Sequence, residues 1–143
     1  MTGHAVELDV SSLAAAVERF SEGVDLMAAR PDETIVRDGV IQRFEFTYEL
    51  AHKMLKRYLE MTAANPDAID AMTFQDLIRT GFEQGLLLHS WDAWRAYRQS
   101  RTHSDASHAY DEEKALRVIE SVPAFLEEAR HLLAQLRQRT ETP

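Results

Sequence analysis

The chain has 143 residues, of which 45% are apolar and 28% charged, a composition typical of a globular protein of about one domain. It contains no cysteine, which excludes a disulfide framework and thiolate zinc sites and is typical of a reducing compartment. Its formal net charge of -8 disfavours indiscriminate binding to nucleic acid, because affinity for the phosphate backbone comes largely from Lys and Arg.

Neither secretion nor membrane spanning is predicted. The opening MTGHAVELDV lacks a basic region followed by an apolar one, and no apolar run approaches about 18 residues. We therefore expect a cytoplasmic protein with no membrane partner, folded as one domain over residues 1–143.

Two amphipathic helices are predicted first, and Pro31 separates them. Ser11 is a candidate cap for the first helix, and the second runs roughly from Ile35 to Met61. The second helix carries a main apolar strip and a smaller one, formed by Phe46, Leu50 and Met54. Two strips on one helix indicate packing on more than one side, by neighbouring helices or by a partner subunit.

The middle of the chain predicts a connector and a short helix. Asn65 to Asp70 contains an Asn-Pro turn signal and is expected to be a connector. Thr73 followed by Asp76 resembles a capping box that opens a helix, which Gly85 is expected to close.

Two more helices complete the prediction. Ser90 is a candidate cap for a helix with Trp91, Trp94 and Tyr97 on its inner side, while Asp111 starts a last helix with a long apolar stripe. Pro123 should kink or interrupt that helix. With no convincing strand alternation, the sequence predicts an all-α, up-and-down bundle of four to five helices with short connections.

Between the last two helices lies a polar stretch, SRTHSDASHAYDEE, from Ser100 to Glu113. The window from Arg95 to His103 contains three arginines and no acid, so this acidic chain is locally basic there. A polar, titratable connection between two helices is a natural place to seek chemistry.

Arg101 and His108 are candidates for metal-free RNA cleavage. Histidine can take a proton from a 2'-hydroxyl or give one to the leaving oxygen, and a guanidinium can hold the phosphate.

Three alternatives stay open on the residues alone. In the first, Arg98 and Arg101 form ion pairs with Asp105, Asp111 or Glu112, and the histidines are solvated. In the second, His103, Asp105 and His108 bind a metal ion. The third is a Ser-His-Asp hydrolase, although no nucleophile elbow is present.

Two segments resemble the HEPN superfamily, in its branch of nucleotidyltransferase substrate-binding proteins. They are IVRDGVIQRFEFTYELAHKMLKRYLE, from Ile35 to Glu60, and RQSRTHSDASHAYDEE, from Arg98 to Glu113. The resemblance implies a helical bundle that forms a homodimer, with two copies of an Arg-x(4-6)-His motif facing each other in one RNA-cleaving cleft.

Arg101 and His108 fit the longest form of that motif and are the implied catalytic residues. The commoner form has a shorter gap, often with asparagine where this chain has Thr102, so Arg98 or His103 is a possible supporting residue. Toxin members of the branch continue as His-x-Tyr, and the resemblance makes Tyr110 the acceptor of AMP.

The resemblance thus implies the toxin of a toxin–antitoxin pair, neutralised when a minimal nucleotidyltransferase transfers AMP from ATP to Tyr110. The implied ribonuclease needs neither metal nor cofactor. The alternative is a non-catalytic accessory subunit that docks with the nucleotidyltransferase, and a helical scaffold without a site is a third possibility.

Overall fold

The computed structural model describes residues 8–104 and 111–140, and these form six helices without any strand. The helices are α1 (Ser11–Ala29), α2 (Thr34–Thr62), α3 (Pro66–Asp70), α4 (Phe74–Glu83), α5 (Trp91–His103) and α6 (Glu112–Thr140). The predicted all-α class is confirmed. No helix in this part of the chain has the length and apolar character needed to cross a membrane.

The bundle is built around α2, which packs against both α1 and α6, while α5 packs on α6. The main strip predicted for α2 is buried as its spacing requires, because Val40, Phe44, Tyr48, Ala51 and Leu55 recur every three or four residues. The three residues of the second strip differ in their burial. Met54 is buried and Leu50 is half-buried, but Phe46 remains 60% exposed.

Phe125 of α6 lies at the centre of an aromatic cluster that joins four helices. Its ring centre is 5.1 Å from that of Phe44, 5.2 Å from Tyr97 and 5.8 Å from Trp94, all in edge-on contacts. Phe20 of α1 lies 6.2 Å from the same ring. Such separations and tilts are the preferred arrangements of packed aromatic rings, so this cluster fixes how α5 sits on α2 and α6.

The predicted connector from Asn65 to Asp70 is wrong. Pro66 instead begins the short helix α3, because its fixed φ and missing N–H suit the first helical position, while Asn65 before it is extended. Lys56 of α2 donates to Asp70 at 2.9 Å and ties α3 to the bundle. The described residues therefore contain one helix more than the upper limit expected.

The predicted helix signals have mixed outcomes. Thr73 does cap α4, since its hydroxyl accepts the N–H of Asp76 at 3.1 Å. Ser11 is not a cap, because α1 begins at that residue and its N–H donates to Asp9 instead. Asp111 accepts the N–H of Lys114 at the start of α6, and that helix continues through Pro123 without the interruption considered above.

The turn between α4 and α5 is held by side chains of α6. Gly85, with a φ of 78°, takes the left-handed conformation that closes α4. The fully buried Glu128 carboxylate accepts the N–H groups of Leu88 at 2.5 Å and His89 at 3.1 Å. Burial raises the pKa of Glu128, and these donors act in the opposite direction. The turn is therefore anchored by a buried acid rather than by apolar packing alone.

We expect Glu128→Ala to lower the free energy of unfolding by about 3 kcal/mol, because the N–H groups of Leu88 and His89 lose their buried acceptor. Urea denaturation followed by circular dichroism measures the change. The exposed neighbour Glu127 provides a control, and Glu127→Ala should shift stability by less than about 0.5 kcal/mol. Equal stability of the two variants would show that the turn does not depend on Glu128.

Candidate functional site

The last turn of α5 lies beside the middle of α2 and presents Arg101 to it. The Arg101 guanidinium donates to Glu49 Oε1 from Nη2 at 2.6 Å and from Nε at 3.2 Å. A cation is favoured at this end of α5 because the partial negative charge of a helix lies at its C-terminus. Glu49 thus sets the orientation of the arginine that the motif singled out.

One turn earlier, Arg98 lies over the aromatic ring of Phe74, with its guanidinium carbon 5.2 Å from the ring centre. Phe74 is the first residue of α4, and the Thr73 cap fixes where that helix begins. The local capping of α4 therefore determines the position of an arginine on another helix through a cation–π contact.

These side chains line a cleft of about 250 Å³, bounded by Tyr48, His52, Phe74, Arg98, Arg101 and Thr102. Burial raises the pKa of Tyr48 to about 12, although both arginines act in the opposite direction. Burial also lowers the pKa of His52, and the positive charges of Lys56 and Arg98 lower it further. At neutral pH the cleft therefore holds an uncharged phenol and an uncharged imidazole beside two guanidinium groups.

The structure brings together two of the predicted site residues, Arg98 and Arg101. His103 is half-buried on the last turn of α5 and is not among the described residues that line the cleft. Arg98 and His103 are five residues apart on one helix, so they point roughly 140° apart around its axis and do not converge. His108 and Tyr110 lie outside the described residues, and their roles stay predictions.

The predicted ion pairs differ in their partners. Glu112 accepts a hydrogen bond from Arg37 of α2 at 2.6 Å, so the first turn of α6 is joined to the first turn of α2. Arg101 binds Glu49, which is not one of the three acids predicted as its partners. Arg43, also on α2, donates to the Arg19 carbonyl at 2.6 Å.

The metal alternative gains no support from the described residues, in which no group of three His, Asp or Glu side chains converges. Two of its three candidates, Asp105 and His108, lie outside those residues. Trp94 is fully buried, as expected for the inner side of its helix, and packs in the core.

Sequence reasoning did not identify Tyr48, His52 or Phe74 as cleft residues. Tyr48 and His52 are four residues apart on α2, a spacing that places them on one face of a helix. That signal was present, but nothing local showed that α5 would pack there.

The exposed Phe46 belongs to a second surface feature. Phe46, Leu50, Arg19 and Arg43 are among the residues that line a mainly apolar groove of about 360 Å³ between α1 and α2. Phe46 precedes Glu49 by three residues on α2, so the groove and the Arg101 cleft adjoin each other on this helix.

Comparison with known proteins agrees with the predicted fold class and with the family resemblance. Residues 8–138 match the family described as nucleotidyltransferase substrate binding protein like. A Haemophilus influenzae protein named probable ribonuclease HepT is 42% identical over 117 residues, which cover 82% of this chain and 77% of that protein. A solved Haemophilus influenzae structure, reported as the fold of a substrate binding domain of a nucleotidyltransferase, has 38% identity and a TM-score of 0.82, and covers 91% of this chain and 100% of its own.

The chain therefore belongs to the nucleotidyltransferase substrate-binding protein family, the branch of the HEPN superfamily that its two sequence segments resemble.

Proposed function

We propose that this protein is a metal-independent endoribonuclease, with Arg101 and His108 as its catalytic residues, that acts as the toxin of a toxin–antitoxin pair. The observation that carries the proposal is the position of Arg101, which Glu49 orients in a cleft that also contains Arg98 and His52. The name of the relative, a probable ribonuclease, supports the same activity.

The chemistry follows from the residue types. The His108 imidazole takes the proton of a ribose 2'-hydroxyl while that oxygen attacks the adjacent phosphorus. The bond from phosphorus to the 5'-oxygen breaks, and an imidazolium gives the leaving oxygen a proton. The products are a 2',3'-cyclic phosphate and a 5'-hydroxyl. Arg101 stabilises the negative charge that grows on the phosphoryl oxygens, so the step requires no metal ion.

A homodimer supplies two copies of the motif to one cleft, and the groove between α1 and α2 supports this arrangement. Phe46 is an apolar side chain left 60% exposed one turn from Glu49. If a second copy packs on Phe46 and Leu50 across a twofold axis, burial of these side chains stabilises the dimer. It also brings the two pairs of Arg101 and Glu49 towards each other, so that one subunit's imidazole serves as base and the other's as acid.

We expect the purified protein to cleave RNA in the presence of EDTA, and His108→Ala to reduce the rate by about 10²–10⁴-fold, the usual contribution of general acid–base catalysis. Cleavage of a fluorescent oligoribonucleotide measures the rate, and circular dichroism confirms that the variant is folded. His103→Ala should retain most activity, because His103 is not among the described residues lining the cleft. Equal rates for wild type and His108→Ala would contradict the proposal.

We expect Phe46→Asp to convert the dimer to monomer, because a buried, unpaired carboxylate is unfavourable at an interface. Sedimentation velocity measures the association state, and RNA cleavage should fall with it although Arg101 and His108 are unchanged. Phe82 is a matched control, because it is also exposed, at 42%, but lies on α4. A dimer that withstands Phe46→Asp and dissociates with Phe82→Asp would place the interface elsewhere.

A second candidate function is that of a non-catalytic accessory subunit of a nucleotidyltransferase. The similarity to a solved substrate binding domain of a nucleotidyltransferase favours it. Both functions share a minimal nucleotidyltransferase as partner.

In the toxin, the Tyr110 phenol oxygen attacks the α-phosphorus of ATP, pyrophosphate leaves, and the phenol proton is released. The added AMP places a bulky anion two residues from His108, where it repels incoming phosphate.

Incubation with the partner nucleotidyltransferase and ATP should add AMP to Tyr110 and abolish RNA cleavage. Peptide mass spectrometry locates the modification, and Tyr110→Phe should remain unmodified and active. Modification of Tyr110 in a protein that never cleaves RNA would favour the accessory function. Absence of modification would contradict neutralisation by AMP transfer.

A further inference from the structure

Two side chains of the cleft, Arg98 and His52, have no role in the reaction proposed above, yet both pack on Phe74. The Arg98 guanidinium lies 5.2 Å from the centre of the Phe74 ring, and the His52 ring centre lies 4.7 Å from it in an edge-on contact. Helices α2, α4 and α5 thus each contribute one side chain to a single point in the cleft.

The charge of Arg98 is not balanced by an acid within the part of the chain that the structure describes. In residues 8–104 and 111–140, Lys56 pairs with Asp70 and Arg101 with Glu49, whereas no acidic side chain forms an ion pair with Arg98. The contact with Phe74 holds the guanidinium in place without supplying a negative charge. A positioned guanidinium without a carboxylate partner is well suited to bind a phosphate oxygen.

His52 adds a second group whose charge responds to an anion. The charged groups that act on its pKa are Lys56 on its own helix, bonded in turn to Asp70 of α3, and Arg98 of α5. Glu49 and Arg101 also lie at the cleft, as a pair. Burial and the two cations favour the neutral imidazole. A bound anion would offset those positive charges, so anion binding and proton uptake by His52 should favour each other.

We propose that Arg98 and His52 form an anion subsite that binds a phosphate group of an RNA or nucleotide ligand. The cleft of about 250 Å³ is smaller than the pockets of about 300–1,000 Å³ that enclose drug-sized ligands, and so suits a phosphate group rather than a whole nucleotide. The subsite's role in positioning RNA beside Arg101 rests on the function proposed above, whereas its binding of phosphate does not.

The test is a pH titration of the histidine side chains of the full chain by NMR, in inorganic phosphate and in chloride at equal ionic strength. His52→Gln assigns the His52 signal by its loss, and the other histidines serve as internal references. Phosphate should raise the pKa of His52. Arg98→Gln should weaken phosphate binding about tenfold, as expected for the loss of a charge-assisted hydrogen bond.

Arg95→Gln is the matched control, because Arg95 is exposed on the same helix, carries the same charge and does not line the cleft. It should leave phosphate binding unchanged. A His52 titration that is the same in phosphate and chloride overturns the subsite. Equal weakening by Arg95→Gln and Arg98→Gln overturns it as well, because binding would then follow total charge.

Two further ligands distinguish the source of the phosphate. An oligoribonucleotide with 2'-O-methyl groups cannot be cleaved, and a shift of His52 with this ligand alone identifies an RNA phosphodiester. A shift with AMP alone identifies a nucleotide monoester. His108→Ala should lose cleavage and retain the response to phosphate. A wild-type protein that responds to phosphate but never cleaves RNA contradicts only the ribonuclease. A wild-type protein that cleaves RNA without the response contradicts only the subsite.

Discussion

The packing of rings around Phe125 is the constraint on which the candidate site depends. Trp94 and Tyr97 contact that ring from α5, and Phe44 contacts it from α2. Because edge-on ring contacts allow little rotation, they fix the face of α5 that meets the bundle. The arginines that follow Tyr97 on α5 are consequently directed to α2 and α4. The positions of the cleft arginines are therefore set by core residues that do not line the cleft.

The cleft is a small basic site in an acidic protein. A net charge of -8 disfavours nucleic acid overall, so attraction requires a place where cations are gathered. Glu49 does not line this site but bonds the Arg101 guanidinium, which holds that guanidinium in one orientation. A ribonuclease of the kind proposed would contact few phosphates, and its binding of RNA should therefore depend only moderately on salt concentration.

Most of the fold could be predicted from sequence, because α1, α2, α4 and α6 have regular apolar periods, and Thr73 and Asp111 mark the starts of α4 and α6. The short α3 could not, since five residues carry no period and an Asn-Pro pair is equally typical of a turn. For the site, resemblance identified Arg101, but not its partner Glu49, 52 residues away. Local patterns place residues on helix faces; only packing decides which faces meet, and this is why His52 was missed.

Ion pairs to α2 hold the chain on both sides of the motif histidine. Arg101 is bound to Glu49 upstream of it, and Glu112 is bound by Arg37 downstream. Helix α2 therefore sets the distance between the two points at which the chain is attached to it. An insertion or deletion between Ser104 and Asp111 would leave this distance unchanged, so the length of the segment that contains His108 can change without rebuilding the bundle.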